Sequence, residues 1–317
     1  MLCKQLLTII VNSFILSLGD KMILTYTVLE AEEGQKISAI LRNKLNISSR
    51  LLTKLKMNEK ILVNDVPVFS SHIVKNGDLI TVKIDFEEED YIEAENIPLD
   101  ILYEDEYLLA VNKPAGMVVH PSSYHLNGTL ANGIKYYLNN NKKIRPINRL
   151  DRDTSGIVVF AKNEYIQECI KQENTMEKEY LTILNGLLNE KSGTINAPIA
   201  RKPNSIMERI IDESGQTAIT HYKVLEEATS ENLSLVQVNI ETGRTHQIRV
   251  HFAYKGNSIL GDTLYGTETN LINRQALHAW RLSFVHPILK KTILIEAPLP
   301  KDIKKVLENL SAKFNKN

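Results

Sequence analysis

The chain has 317 residues, of which 43% are hydrophobic and 24% charged. This composition excludes a wholly disordered chain, and the length suits one large domain with a smaller one. The formal net charge is zero, so no overall positive charge indicates a nucleic-acid partner. The two cysteines, Cys3 and Cys169, form no Cys-x-x-Cys pair. They argue against a disulfide framework or a zinc–thiolate site and indicate a reducing, cytoplasmic location.

The first 21 residues contain an apolar segment. Residues 6–18 fall short of the roughly 20 apolar residues that span a bilayer, and no small-residue cleavage site of a secretory leader follows them. Met22 then opens a strand-like segment over residues 23–28. We therefore interpret residues 1–21 as an N-terminal extension upstream of the native start, disordered or peripheral to the fold. A secretory leader is the alternative.

Residues 22–86 are predicted to form a small domain of two short helices and a small antiparallel sheet. Apolar residues recur near helical spacing over residues 37–45, and a second helix follows with Ser48 or Ser49 as its N-cap. Strand-like segments separated by turn residues complete the domain up to Ile84.

Charge separates sharply around this domain. Residues 34–84 contain nine basic and three acidic residues, whereas residues 87–96, interpreted as an acidic linker, contain six acidic ones. A net charge of zero therefore conceals a basic module. Its second helix is predicted to present Arg50, Lys54 and Lys56 to RNA phosphates, with an ordinary solvated surface as the alternative.

Residues 97–305 show many short strands with interspersed helices. Strands are predicted over residues 107–112, 156–161, 180–184, 233–240 and 248–252, and helices over residues 129–138 and 163–171. Strands and crossover helices do not alternate regularly, which predicts an α+β domain with a mixed, largely antiparallel sheet flanked by helices. Residues 306–317 are interpreted as a C-terminal tail.

Two carboxylates, Asp151 and Asp153, lie directly before an apolar strand at residues 157–161. A loop at the end of a buried strand holds such groups on a rigid scaffold while leaving them accessible. A charged surface turn is one alternative. The acid pair of a glycoside hydrolase is another, but aromatic residues make up only 6% of the chain and supply no sugar-binding row.

A second polar segment covers residues 243–251. Read as a strand, it places Ile248, Val250 and Phe252 on one face and Gln247, Arg249 and His251 on the other. Neither His246 nor His251 belongs to a set with metal-ligand spacing, so no metal site is predicted.

Residues 148–156, Asn-Arg-Leu-Asp-Arg-Asp-Thr-Ser-Gly, resemble the His-Arg-Leu-Asp-Arg-x-Thr-Ser-Gly signature of the RluA family of pseudouridine synthases. Residues 113–121 are similar to that family's preceding motif, and residues 243–249, 261–266 and 277–287 to its later motifs, in the same order. Several ordered motifs are more specific than any single one.

The resemblance extends from about residue 97 to about residue 300 and so covers most of the chain. Residues 34–84 in turn resemble the αL RNA-binding motif of the ribosomal-protein S-four type, which is often fused to such enzymes. One position departs from the family's pattern, because Asn148 stands where histidine is usual.

The resemblance implies an intramolecular isomerase that converts specific uridines of structured RNA to pseudouridine. Large-subunit ribosomal RNA is the first-choice substrate and transfer RNA the second. Neither cofactor, metal, DNA nor membrane is expected to take part, and the protein is expected to be a cytoplasmic monomer. The chain has no dinucleotide or Walker-type glycine loop. A noncatalytic RNA-binding or ribosome-assembly protein of the same fold is the alternative, because function depends on the site and not on the fold.

The resemblance also implies roles for individual residues. Asp151 is the expected nucleophile, ahead of Asp153, and attack on the sugar or on the base stays open. Tyr180 is expected to pack on the uracil ring and assist proton removal, and Arg249 to keep the aspartate ionised. The expected substrate-binding residues are Arg149, Arg152, Thr154, Arg244, His246 and Gln247, with Arg149 filling the space that a flipped uridine leaves.

Overall fold

The computed structural model describes residues 6–10, 13–18, 21–86, 90–122, 125–139 and 143–310. Within these ranges the chain forms 18 strands and six α-helices. The strands are β1 (Leu6–Ile10), β2 (Ser13–Leu18), β3 (Lys21–Thr27), β4 (Ile61–Val63), β5 (Val66–Pro67), β6 (Leu79–Ile84), β7 (Ile101–Glu104), β8 (Leu108–Lys113), β9 (Arg145–Pro146), β10 (Ser155–Ala161), β11 (Glu177–Asn185), β12 (Ser192–Asn196), β13 (Ile199–Arg201), β14 (Arg209–Ile211), β15 (Ile219–Ala228), β16 (Leu233–Ile240), β17 (Leu277–Val285) and β18 (Thr292–Glu296). The helices are α1 (Ile37–Leu45), α2 (Ser49–Met57), α3 (Leu130–Leu138), α4 (Glu164–Glu173), α5 (Gln247–Tyr254) and α6 (Lys301–Leu310).

The N-terminal unit packs α1 and α2 on a sheet with strand order β1-β2-β3-β6-β4-β5. The Ser48 hydroxyl accepts a hydrogen bond from the Leu51 amide at 3.2 Å, so it caps α2 as the sequence predicts. Leu51, Leu52 and Leu55 are buried along one side of α2. The predicted pair of helices is therefore confirmed.

Strands β1 and β2 extend this sheet at its edge, where β2 pairs antiparallel with β3. Ile15 of β2 is buried. Residues 6–10 and 13–18, which the sequence predicts to be disordered or peripheral, form paired strands at this edge.

The second sheet has ten strands, with the order β12-β15-β16-β11-β17-β10-β8-β7, and β18 and β9 pair with β17 and β10. Strands β10 and β17 are parallel, and the other pairs in this sheet are antiparallel. The predicted α+β class with a mixed, largely antiparallel sheet is confirmed. Among the described residues, no helix combines the length and the apolar character needed to cross a membrane.

The two units are packed together. The Lys54 ammonium of α2 lies 3.0 Å from a carboxylate oxygen of Glu164 at the start of α4 and 4.1 Å from the centre of the Phe86 ring. One cluster of buried apolar side chains contains residues from both units, including Leu55 and Tyr107. The basic module therefore shares a core with the larger domain.

The acidic segment and the C-terminal segment differ from their predicted roles as linker and tail. The carboxylate of Asp90 accepts hydrogen bonds from Lys135 of α3 at 3.4 Å and from the Ile144 amide at 2.9 Å, so this part of the segment is fastened to the large domain. Residues 87–89 lie outside the described residues. Val306 and Leu310 are buried within α6, so residues 306–310 belong to the fold. Residues 311–317 also lie outside the described residues.

The predicted strand at residues 248–252 is wrong, because residues 247–254 form helix α5. Six consecutive residues of this helix, 247–252, are buried, so it shows no helical stripe of apolar residues. Polar residues alternate with apolar ones and imitate a strand. The assignment of Gln247, Arg249 and His251 to one strand face is therefore also wrong.

Candidate active site

The loop at residues 149–155 ends where β10 meets β17. Gly156 has φ +115°, and a Cβ atom there would lie 2.2 Å from the Ala279 carbonyl oxygen on β17. Only glycine fits this close approach without a shift of the backbone. The contact fixes the loop that carries Asp151 against the middle of the sheet.

Buried basic side chains hold the backbone of this loop. The fully buried ammonium of Lys113 donates to the Arg152 carbonyl at 2.9 Å, and Arg274 donates to the Asp153 carbonyl at 3.0 Å. Burial lowers the pKa of Lys113 to about 7, while the charges of Asp153 and Asp151 oppose that shift. Because both side chains bind main-chain oxygens, they fix the loop and leave the Asp151 side chain unobstructed.

The Asp151 carboxylate belongs to a row of three charged groups, Asp151, Arg249 and Asp262, and lies at the cleft end of that row. Its Oδ2 lies 3.2 Å from Nη1 of Arg249, whose Nε and Nη2 bind the two oxygens of Asp262 at 2.7 and 2.9 Å. Burial alone would raise the pKa of Asp262, but its bonds to Arg249 hold that pKa below its ordinary value. Burial alone would lower the pKa of the Arg249 guanidinium. The carboxylates of Asp262 and Asp151 have the larger effect and raise that pKa above its ordinary value. Arg249 is thus a permanent buried cation beside Asp151.

A second group, His246, approaches the same Asp151 oxygen. Its Nε2 lies 3.8 Å from Oδ2, while its Nδ1 lies 2.8 Å from the Tyr265 hydroxyl. That hydroxyl accepts a hydrogen bond from the Arg209 amide at 2.8 Å, so its own proton is free to be donated to Nδ1. Burial lowers the pKa of His246. A neutral imidazole therefore faces Asp151, and Arg249 and His246 both lie on the Oδ2 side of the carboxylate.

A cleft of about 820 Å³ opens above Asp151. Tyr180, the side chain of which is almost fully buried, lines it together with the apolar Ile248 and Leu277. Burial and then the negative charge of Asp151 raise the pKa of the Tyr180 hydroxyl. The phenol therefore stays protonated at neutral pH.

Eight of the predicted residues meet in this cleft: Arg149, Asp151, Thr154, Tyr180, Arg244, His246, Gln247 and Arg249. The exception is Arg152. Its side chain is 58% exposed and paired with Asp153 at 3.0 Å, and neither residue lines the cleft.

Two of the eight, both uncharged, have their polar groups occupied by protein. The Gln247 amide donates to the Ile219 carbonyl and the Thr220 hydroxyl and accepts from the Thr242 hydroxyl and the Arg244 amide, at 2.8–3.0 Å. The buried Thr154 hydroxyl accepts from Gln275 at 3.3 Å. Both residues support the walls of the site. Arg149, by contrast, is exposed and has no hydrogen bond or ion pair to any residue in the described ranges.

The three basic residues predicted on α2 differ in their surroundings. Lys54 faces Glu164, as described above, so an RNA phosphate would compete with that carboxylate for the Lys54 ammonium. Arg50 is 82% exposed, with its Nε 4.0 Å from Glu164. Lys56 is exposed on the surface of the module.

The sequence assigns no role to four residues that build the site: Lys113, Lys178, Asp262 and Tyr265. Asp262 and Tyr265 belong to residues 261–266, which resemble a family motif, so a signal for them exists in the sequence. Among the described residues, no group of three or more His, Cys, Asp or Glu side chains is arranged to hold a metal ion.

Asn148, which replaces the family's usual histidine, is bonded to β10. Its Nδ2 donates to the Ile157 carbonyl at 3.0 Å, and its Oδ1 accepts from the Val159 amide at 2.8 Å. The amide thus satisfies two backbone groups of the central strand beside Asp151. This position stabilises the strand that carries the loop.

Replacing Asn148 with alanine is expected to lower the free energy of unfolding by about 1–3 kcal/mol, because it leaves partly buried backbone groups unpaired. Urea unfolding at neutral pH measures the loss. Asn148→Asp, which keeps the acceptor and removes the donor, serves as the comparison and should retain the bond to Val159. An alanine variant as stable as the wild type would contradict the assigned role.

Comparisons with known proteins identify the family of this chain. Residues 107–254 match the family model described as RNA pseudouridylate synthase, and residues 24–80 match that of the RluD ribosomal pseudouridine synthase N-terminal domain. The uncharacterized RNA pseudouridine synthase YhcT of Bacillus subtilis is 42% identical over 281 residues, which cover 87% of this chain and 93% of that protein. Ribosomal large subunit pseudouridine synthase D of Haemophilus ducreyi is 35% identical over 280 residues, which cover 82% of this chain and 85% of that protein.

Among solved structures, the human RNA pseudouridylate synthase domain containing 1 has a TM-score of 0.53 and 24% identity, covering 71% of this chain and 98% of that one. The human RNA pseudouridylate synthase domain containing 4 has a TM-score of 0.54 and 23% identity, covering 68% of this chain and 94% of that one. These two likenesses establish the fold.

The fold and the sequence relatives define an RNA-modifying isomerase. The chain belongs to the RNA pseudouridine synthases, and its relatives named for synthase D confirm the resemblance to the RluA family.

Proposed function

We propose that this protein isomerises uridines of large-subunit ribosomal RNA and that Asp151 is its nucleophile. Relatives from several bacteria are named ribosomal large subunit pseudouridine synthase D, which supports this substrate class. The main support for the site is the Asp151 carboxylate, which is 25% exposed at the base of the cleft and held by the buried Arg249 at 3.2 Å.

The reaction changes bonds without a redox step. The bond between N1 of uracil and C1′ of ribose breaks, the base turns, and C5 bonds to C1′. C5 then loses its proton, and N1 gains one. Asp151 can take part as a nucleophile at the sugar or at the base. Its Oδ1 has no hydrogen bond from the described residues, whereas Oδ2 faces Arg249 and His246, so Oδ1 is the oxygen proposed to react.

The other cleft residues are proposed to admit and hold the nucleotide. A stacked uridine must leave its helix before it reaches Asp151, at a cost of a few kcal/mol. The exposed guanidinium of Arg149 is suited to fill the vacated space, and Arg244 at the rim to bind phosphate. The Tyr180 ring offers a face for the extruded base. Arg50 and Lys56 on α2 are proposed to bind more distant phosphates. Within this proposal the protein works as a monomer in the cytoplasm.

Release of tritium from RNA labelled at uridine C5 tests the proposal, because only the isomerisation exchanges that hydrogen. Unmodified transcripts of large-subunit ribosomal RNA and of transfer RNA are incubated separately with the protein. Release from the ribosomal transcript is the expected result. Release from the transfer RNA transcript alone would make transfer RNA the substrate in place of ribosomal RNA. Release from neither transcript would favour a noncatalytic RNA-binding protein.

A further inference from the structure

Lys178 is a cation of the cleft to which the reaction assigns no task. It lies on β11, two residues before Tyr180, and lines the same cleft as Tyr180 and Asp151. Residues two apart on a strand are about 7 Å apart, which is also about the separation of a base from its own backbone phosphate. The position is therefore next to the place proposed for the uracil ring.

The acidic neighbours of Lys178 are turned to other partners. Glu177 accepts a hydrogen bond from the Ser283 hydroxyl at 3.1 Å, and Glu179 accepts one from the Gln237 amide at 2.7 Å. Lys178 itself has no hydrogen bond or ion pair to another residue within the described ranges, although it is half-buried. Burial alone lowers its pKa, and no charged group counters that shift.

An ammonium group that loses part of its hydration gains stability from an anionic or carbonyl partner. Here the partner is missing on the side that opens to the cleft. Met176, Asn174 and Ile147, which also line the cleft, add no negative charge. An anionic ligand entering the cleft would supply the missing partner.

We propose that Lys178 binds a phosphodiester of the RNA strand that carries the target uridine, beside the base held on Tyr180. This inference rests on the proposed function, because it takes RNA as the occupant of the cleft. Lys178 then acts as a substrate-positioning residue that fixes the backbone while the base reaches Asp151. Contacts with phosphates fix the register of a nucleic-acid strand on a protein.

Lys178→Met tests the contact, because it removes the charge and keeps much of the side-chain volume. Binding to an unmodified large-subunit ribosomal RNA transcript is measured by filter binding over a series of KCl concentrations. We expect affinity to fall on the order of tenfold. The slope of log K against log salt should shrink by about 0.7, the value for one contact with single-stranded RNA.

Three further variants make the result specific. Lys178→Gln repeats the loss of charge should the methionine variant fold poorly, and circular dichroism checks both. Lys178→Arg keeps the charge and should keep the wild-type slope. Lys223→Met removes an exposed lysine of β15 that does not line the cleft, and it should bind as the wild type does.

An unchanged salt slope in folded Lys178→Met or Lys178→Gln would overturn the phosphate contact. An equal loss of slope in Lys223→Met would also overturn it, because the change in slope would then come from the lower net charge of the protein and not from a contact in the cleft. Tritium release is measured on the same preparations. Wild-type protein without any release would refute the proposed isomerisation, whereas the change in slope would still report whether Lys178 binds RNA phosphate.

Discussion

Asp151→Asn is expected to slow tritium release from ribosomal RNA by at least about 10³-fold, since removing a catalytic nucleophile typically costs that much or more. The amide has nearly the same shape but cannot form the covalent bond. Single-turnover assays with enzyme in excess measure the chemical step. Affinity for the same transcript should stay within about threefold of wild type, because many phosphate contacts outside this group carry the binding.

Asp153→Asn is the matched control for this prediction. Asp153 lies two residues away on the same loop, but its side chain pairs with Arg152 and does not line the cleft. Its backbone carbonyl, which Arg274 binds at 3.0 Å, is unchanged by the substitution. The control should therefore retain nearly full activity. Full turnover by Asp151→Asn, or equal loss in the two variants, would remove Asp151 from its proposed role.

Arg249→Met is expected to have the second large effect, on stability and on activity together. The Asp262 carboxylate is fully buried and has two of its hydrogen bonds from Arg249. Removing one partner of a buried ion pair leaves the other charge uncompensated and typically costs about 3–5 kcal/mol. Urea unfolding measures that loss. Activity should also fall, because Asp151 loses the cation 3.2 Å away.

The pH dependence of this loss has a definite sign. In the wild type the pKa of Asp262 is lowered, so its ionised form contributes stability above the unfolded pKa, and that contribution disappears as pH falls through the folded pKa. Without Arg249, the amide hydrogen bonds from Leu264 and Tyr265 still oppose burial, but the pKa of Asp262 rises above its value in the wild type. The carboxylate then protonates more readily in the folded state. The difference in stability between wild type and Arg249→Met should therefore be smaller at pH 5 than at pH 7.

The double variant Arg249→Met/Asp262→Asn separates the two causes. It removes the stranded charge, so it should be more stable than Arg249→Met alone at pH 7 and lose the pH dependence of the defect. Its activity should remain low, because Asp151 still lacks its cation. A single variant whose defect is the same at both pH values would argue against a buried ionised Asp262.

Local patterns in the sequence were sufficient for much of the fold. Ser48 caps a helix with apolar residues at helical spacing, and the unbroken apolar run at residues 157–161 is a central strand. Both signals depend on neighbours in the chain, so they could be recognised without tertiary information. Motif order likewise indicated the family and singled out Asp151, Tyr180 and Arg249, which the structure places around one cleft.

Long-range contacts decided the rest. Residues 247–252 of helix α5 are all buried. The Arg249 charge is tolerated there because Asp262, 13 residues later, neutralises it. The same holds for Lys113, whose ammonium binds the carbonyl of Arg152, 39 residues away. Hydrophobic periodicity reports how residues alternate between solvent and core. It cannot identify a buried charged residue whose partner lies far away in the chain. The sequence alone thus indicated most of the elements, the family and the carboxylate proposed to react, and only the tertiary structure decided which buried charges hold that carboxylate in place.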